Sequence, residues 1–119
     1  MPRKSSGSVQ VFYPKFNREE IIQALTQKLG NLQRRLPCLL VVLFGSYAKG
    51  NYTVASDVDL LVIYQGKETE EAYAIVKRAF NMPHLEPHVY SEHEYREMRG
   101  DIEKMIRGGI TIYRREESE

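Results

Sequence analysis

The chain has few of the features that mark secreted, membrane-spanning or polymer-binding proteins. Its 119 residues include one cysteine, Cys38, so there is no disulfide framework, which fits a reducing cytoplasm. The longest uninterrupted apolar run, Cys38 to Phe44, is far below the ~20 residues that a membrane helix needs. Residues 1–8 are basic and rich in serine, but no apolar segment follows them, which argues against a signal peptide. We therefore expect a soluble cytoplasmic protein with no membrane partner.

The sequence also has no excess of charge of one sign. Lys and Arg total 17 and Asp and Glu total 16, which leaves a formal net charge of +1 at pH 7. Proteins that hold a long nucleic acid usually show a basic excess or stripe, because their affinity comes from neutralising many phosphates. The composition therefore predicts no extended nucleic-acid groove. A length of 119 residues allows one domain of the usual size, roughly 100–150 residues.

The spacing of apolar residues predicts a single α/β domain of the α+β kind, with helices packed on a mixed β-sheet. We expect this domain to span residues 17–113, between an N-terminal tail or arm of residues 1–16 and a charged tail of residues 114–119. A short alternating run near residues 9–13 fits either an edge strand or an extended arm. Cys38 is expected to be a small buried thiol, because it begins the apolar run.

Seven main elements are predicted inside the domain, in the order helix, strand, strand, helix, strand, helix and strand. Asn17 and Ser91 each head a capping box and are expected to begin the first and last helices. Pro87 places the third strand at an edge or a bulge, because proline has no amide hydrogen for a sheet ladder. The predicted helices span 18–35 and 68–80, and a last helix runs from its cap at Ser91 to its end at Gly108. The predicted strands span 38–44, 57–64, 85–90 and 110–113, and a helical turn is predicted over 46–49. The inner face of the last helix is expected to carry Tyr95, Met98, Ile102, Met105 and Ile106.

A glycine and a serine directly follow the apolar strand at 38–44. Gly45 lets the backbone turn sharply with no Cβ in the way, and it leaves amide groups free at the start of a short helix. Ser46 adds a hydroxyl donor at the same corner. Such a corner binds a phosphate group, although a Gly-Ser pair on its own is more often an ordinary strand-to-turn connection.

Two carboxylates, Asp57 and Asp59, stand at the start of the next strand. Residues two apart on a strand point to the same face, so the two side chains share one small space and favour a cation. A third carboxylate would complete a metal site, and Glu86, on the next strand, is the best placed candidate. Alternatively, Glu86 is an exposed charge on an edge strand. Oxygen ligands of this kind suit Mg²⁺, and two such ions roughly 3.5–4 Å apart support in-line nucleotidyl transfer.

The glycine-serine corner and the Asp-x-Asp pair, ten residues apart, together resemble the signature of the polymerase-beta-type nucleotidyltransferase superfamily. The sequence is most similar to the minimal nucleotidyltransferases, the small MNT antitoxins of HEPN/MNT toxin–antitoxin pairs. The similarity extends from the strand at Leu39 to the run that ends at Tyr113. The matching signature residues are Gly45, Ser46, Ala48, Gly50, Ser56, Asp57, Asp59 and Leu60.

The resemblance implies a nucleotidyltransferase fold and a metal-dependent transfer of AMP from ATP to a hydroxyl. In family terms, Gly45 and Ser46 hold the triphosphate, Asp57 and Asp59 bind two Mg²⁺ ions, and the third acid, Glu86, binds the catalytic metal. Lys49 stands in the triphosphate site where many relatives have Arg, which keeps the charge but loses bidentate geometry. The implied acceptor is a tyrosine of a partner HEPN toxin, and the chain acts as an antitoxin. A second protein or a second copy of the chain is expected to position the acceptor.

A second hypothesis is an inactive or weakly active nucleotide-binding antitoxin that masks its toxin by direct binding. It is motivated by Glu86, because the family usually has Asp there and one more methylene shifts an oxygen by about 1 Å. RNA tailing and small-molecule nucleotidylation are less favoured.

Other chemistry-bearing residues have alternative interpretations. His84 and His88 are interpreted as rim residues rather than as a transition-metal site with Glu86. Tyr47 and Tyr52 either stack on a base or pack over the loop. Basic residues of the helices form solvated polar faces or a rim that meets an acidic partner; they are Lys28, Arg34, Arg35, Arg96, Arg99, Lys104 and Arg107.

Overall fold

The computed structural model describes residues 17–116. The run near residues 9–13 therefore lies outside the described residues. Within the described part, no helix is long and apolar enough to cross a membrane. The elements in chain order are α1 (Arg18–Arg35), β1 (Cys38–Phe44), α2 (Ser46–Lys49), β2 (Val58–Tyr64), α3 (Ala72–Phe80), β3 (Leu85–Ser91), α4 (Glu92–Glu97), α5 (Arg99–Met105) and β4 (Ile110–Arg114).

The four strands form one mixed sheet in the order β3-β2-β1-β4. β1 is antiparallel to both β2 and β4, whereas β2 and β3 are parallel. β1, which is apolar throughout, is therefore a central strand, as its sequence indicates for a strand covered on both faces, and β2 is the other central strand. Among residues 17–116 β3 lies at an edge of the sheet, and Pro87 faces its one neighbouring strand there, β2, opposite Leu60. The expectation for Pro87 is confirmed.

Helices cover both faces of the sheet. α1 and α3 bury Leu25, Leu32 and Phe80 against one face, and α5 buries Ile102 against the other. The start of α1 is fixed by the predicted capping box, in which the Glu20 amide donates to Asn17 Oδ1 (2.8 Å). Cys38 is buried, as expected, and burial raises the pKa of its thiol to about 12.

The face of each β2 side chain follows from the alternation along the strand. Leu60 and Val62 belong to the core under α1 and α3, whereas Leu61 and Ile63 belong to the core under α5. Asp59 therefore lies on the α5 face, in line with Leu61. This assignment fixes which face of the sheet carries the predicted carboxylate site.

The helix predicted over 68–80 begins at Ala72, so its first four residues were predicted wrongly. Glu68 is instead tied to α4, because its carboxylate accepts from His93 Nδ1 (3.1 Å) and from the Ser91 hydroxyl (3.2 Å). The Thr69 amide donates to the Tyr64 hydroxyl (3.0 Å). The hydrogen bond to His93 lowers the pKa of Glu68, and the same bond raises the pKa of His93. These tertiary contacts outweigh the local helical pattern.

The helix capped by Ser91 is two helices, with the break at Met98. The backbone of Met98 leaves the helical region (φ −111°, ψ 20°), although its amide still donates to the Glu94 carbonyl (2.9 Å). The Met98 side chain is 37% exposed, so its predicted place on the inner face was wrong. Ile102 is buried against the sheet as predicted.

Candidate functional site

The predicted glycine corner is present at the end of β1. Gly45 has φ 77° and ψ −153°, a combination that is essentially restricted to glycine. It precedes α2, and Gly50 (φ 85°) ends that helix. A Cβ on Gly45 would overlap Oδ2 of Asp59 and lie 3.2 Å from its Cγ. The glycine is therefore needed both for the turn and for the close approach of the Asp59 carboxylate.

Asp59 lies between the glycine corner and Glu86. Its Cα partner on β1 is Phe44, the residue before Gly45, and its Cα partner on β3 is Glu86. Directly paired residues on neighbouring strands point to the same face of a sheet. The structure thus brings Gly45, Asp59 and Glu86 to one end of the α5 face, although they are distant in sequence.

Asp57 lies just before β2 and is exposed. The three predicted ligands are all carboxylates, namely those of Asp57, Asp59 and Glu86. Carboxylate oxygens are the type of ligand that Mg²⁺ prefers, so these side chains suit this metal chemically. Within residues 17–116, however, no three His, Cys, Asp or Glu side chains are arranged to hold a metal ion. The structure brings Asp59 and Glu86 together by strand register, and the use of all three carboxylates as ligands stays a prediction.

His88 is a site residue that the sequence analysis placed only at the rim. Its Nε2 lies 3.4 Å from Asp59 Oδ1, and its ring packs edge-on against Phe44 with 5.0 Å between centroids. His84 is not part of this group, because it precedes β3 with φ 63° and its carbonyl accepts from the Val58 amide. The sequence feature that could have assigned His88 to this group is its spacing. It lies two residues after Glu86 and therefore on the same face of the strand.

The two other predicted triphosphate residues lie on α2. Ser46 begins the helix and is half-buried, and within the described chain its hydroxyl has no hydrogen-bond partner. Its carbonyl accepts from the Gly50 amide (2.9 Å). Lys49 ends the helix and is exposed. The Ser46 hydroxyl is therefore available to a ligand at the glycine corner.

Tyr47 and Tyr52 pack on each other. Their rings are stacked, with 4.3 Å between centroids and 12° between planes, and Tyr47 is only 5% exposed. The Tyr52 hydroxyl accepts from the Arg18 amide (3.2 Å), and Arg18 Nη1 donates to the Ala48 carbonyl (2.9 Å). Burial, followed by the neighbouring Tyr52, raises the pKa of Tyr47. Of the two interpretations, the structure supports packing over the loop, which anchors α2 to α1.

Comparisons with known proteins agree with this architecture. A sequence model described as a nucleotidyltransferase domain matches residues 17–114. No curated protein sequence matches the chain. The crystal structure of a candidate nucleotidyltransferase from Sulfolobus solfataricus is similar with a TM-score of 0.59 and 21% identity, over 85% of this chain and 86% of that one.

A mutant of the toxin–antitoxin MntA-HpeT is similar with a TM-score of 0.51 and 16% identity. That match covers 85% of this chain and 76% of the other. At these identities the likeness shows the fold, and the expected fold class is confirmed.

Proposed function

Because the chain belongs to the nucleotidyltransferase domain family, we propose that it transfers AMP from ATP to a hydroxyl group. The observation that carries this proposal is the convergence of Gly45, Asp59 and Glu86 at one end of the sheet. A phosphate-binding turn beside carboxylates is the arrangement that metal-dependent phosphoryl chemistry requires. The sequence signature contains Gly45 and Asp59, and Glu86 is the third carboxylate expected on the neighbouring strand.

Each residue has a role in this proposal. Gly45 and the Ser46 hydroxyl hold the triphosphate, and Lys49 supplies a positive charge beside it. Asp57, Asp59 and Glu86 would hold Mg²⁺, which when bound polarises the triphosphate and stabilises the departing pyrophosphate. Glu86 is the group placed to favour loss of the acceptor's proton. His88 orients the Asp59 carboxylate through Nε2.

We further propose that the acceptor is a tyrosine of a HEPN-type toxin and that the chain is an antitoxin. Support comes from the sequence resemblance to MNT antitoxins and from the fold shared with MntA-HpeT. The competing proposal, a binding-only antitoxin, is supported by Glu86, which stands where the family usually has Asp.

Transfer of radiolabel from [α-³²P]ATP to a co-purified HEPN toxin, with Mg²⁺, tests the catalytic proposal. We expect labelling by the wild type and a loss of about 10²-fold or more in Asp59→Asn, because the charge that holds the metal is removed. The matched control is Asp101→Asn, an exposed carboxylate of α5, which should label normally. Protection of cells that survives in a folded Asp57→Ala, Asp59→Ala variant, with no label transferred, would support the binding-only antitoxin instead.

A further inference from the structure

A groove of about 260 Å³ lies between α1 and α3. Because α1 and α3 cover the sheet face opposite the one that carries Asp59, this groove is separate from the candidate active site. The described residues that line it are Asn31, Arg34, Arg35, Arg78 and Ala79.

The groove concentrates positive charge that no carboxylate of the described chain offsets. Arg34, Arg35 and Arg78 are all exposed, and within residues 17–116 none of their side-chain nitrogens lies within 4.0 Å of an Asp or Glu oxygen. By contrast, Arg96 and Arg99 of α4 and α5 each pair with a glutamate four residues away. The three arginines lie in the last turns of α1 and α3, where cations interact favourably with the helix dipole, and the groove brings the two turns together.

Neighbouring lysines add to this charge but are held in other contacts. Lys28 Nζ donates to the Phe80 carbonyl (3.0 Å), and Lys77 Nζ donates to the Leu85 carbonyl (3.2 Å). Both ammonium groups satisfy backbone carbonyls near the end of α3 and the start of β3. The three guanidinium groups are therefore the ones that remain available to a ligand.

The lining indicates the chemical class of that ligand. Guanidinium groups bind phosphate oxygens in a bidentate manner, and the Asn31 amide adds donors. Among the described residues that line the groove there is no aromatic ring on which a base could stack and no large apolar side chain to anchor a protein partner. Its volume lies below the roughly 300–1,000 Å³ of pockets that enclose drug-sized ligands. These features favour a small, highly charged phosphate compound.

We propose that Arg34, Arg35 and Arg78 form a binding site for a short polyphosphate, separate from the proposed catalytic site. The polyphosphate is either a free pyrophosphate or triphosphate or the phosphate chain of a nucleotide. The proposal does not depend on catalysis, since it rests on charge and shape on the opposite side of the sheet.

Isothermal titration calorimetry with inorganic tripolyphosphate tests this groove, and EDTA in the buffer removes the metal-bridged part of any binding at the candidate active site. We expect saturable binding by the wild type, unchanged binding by Asp59→Asn, and a loss of at least tenfold in Arg34→Gln, Arg78→Gln. Arg78→Lys should lose affinity by a smaller factor, because lysine keeps the positive charge but lacks the planar guanidinium group that binds two phosphate oxygens at once. Arg96→Gln is the matched control and should bind normally. Circular dichroism confirms that each variant is folded.

The two sources of phosphate are distinguished by titrating ATP and AMP in the same buffer. Equal affinity for ATP and tripolyphosphate assigns the site to a nucleotide's phosphate chain, and weaker binding of ATP assigns it to free polyphosphate. The proposal is overturned if tripolyphosphate does not bind, if binding disappears in Asp59→Asn, or if the arginine variants bind as tightly as the wild type. Binding of an oligonucleotide or an acidic peptide, with none of tripolyphosphate, also overturns it.

Discussion

Replacing Gly45 by alanine perturbs the candidate site at the point where backbone geometry and the carboxylate meet. At φ 77° and ψ −153°, a residue with a Cβ costs about 1–3 kcal/mol. The lower entropy of alanine in the unfolded chain offsets about 0.4–1 kcal/mol of this, and the overlap with Asp59 Oδ2 adds to it. We therefore expect a net loss of about 1–3 kcal/mol in the free energy of unfolding.

Variants of three other glycines separate the cost of the backbone conformation from the cost of the overlap. Gly66 has a positive φ (92°) with open space around it, so Gly66→Ala shows the backbone cost alone. A Cβ on Gly109 would lie 2.8 Å from the Ile106 carbonyl oxygen, without a positive φ, so Gly109→Ala shows crowding alone. Gly30 lies within α1 with nothing near it, and Gly30→Ala should stabilise the protein by about 0.5–1 kcal/mol.

Thermal unfolding followed by circular dichroism measures all four variants. At about 4 °C per kcal/mol, Gly45→Ala should lower Tm by about 4–12 °C, more than Gly66→Ala does. The Asp59 carboxylate must also retreat by about 1 Å, and a displacement of that size costs ~10²-fold in a preorganised site. The label transfer assay should show this loss in the folded fraction. A Gly45→Ala protein as stable as the wild type would refute the reasoning from backbone and overlap.

Three further predictions concern residues outside the candidate site. Cys38, whose pKa burial raises to about 12, should not react with Ellman's reagent at pH 8 until denaturant is added, and fast reaction of the native protein would contradict its burial. The pKa of His93 is raised above its ordinary value of 6.5, and the pKa of Glu68 is lowered below its ordinary value of 4.5. Both shifts therefore stabilise the fold fully at pH values between 4.5 and 6.5. This stabilisation is lost as pH rises through the pKa of His93 in the folded protein or falls through the pKa of Glu68 in the folded protein. In Glu68→Gln, Tm should therefore change less between pH 5 and pH 8 than it does in the wild type. Ser91→Ala removes the cap of α4 and the hydrogen bond to Glu68 and should cost about 1 kcal/mol in a urea melt, and an unchanged midpoint would contradict the capping role.

The sequence predicted elements whose signals are local. β1 is a continuous apolar run, the pattern of a strand covered on both faces, and β2 is apolar from Leu60 to Ile63. Asn17 carries its capping partner three residues away. The glycine-serine corner and Asp59 were recognised because their residue types and spacing limit the possible chemistry. Asp59 and Glu86 were expected to be neighbours, and the register of β2 with β3 places them side by side.

Features set by tertiary contacts were not predictable in this way. The helical pattern at residues 68–71 is overridden by hydrogen bonds from Glu68 to His93 and Ser91, which are more than 20 residues away. The break at Met98 follows no proline. His88 looked like a rim residue because its contact with Asp59 depends on the parallel pairing of two strands. The groove between α1 and α3 likewise joins arginines that the sequence separates.

The location of the nucleotide–metal complex on the protein shows most directly whether this end of the sheet is the active site. Mn²⁺, added with ATP to ¹⁵N-labelled protein, broadens the amide signals near the metal. We expect the broadening to centre on Gly45, Asp59 and Glu86, to be lost in Asp59→Asn and to persist in Asp101→Asn. Broadening centred elsewhere on the sheet, or unchanged in Asp59→Asn, would contradict the assignment of this end of the sheet as the active site.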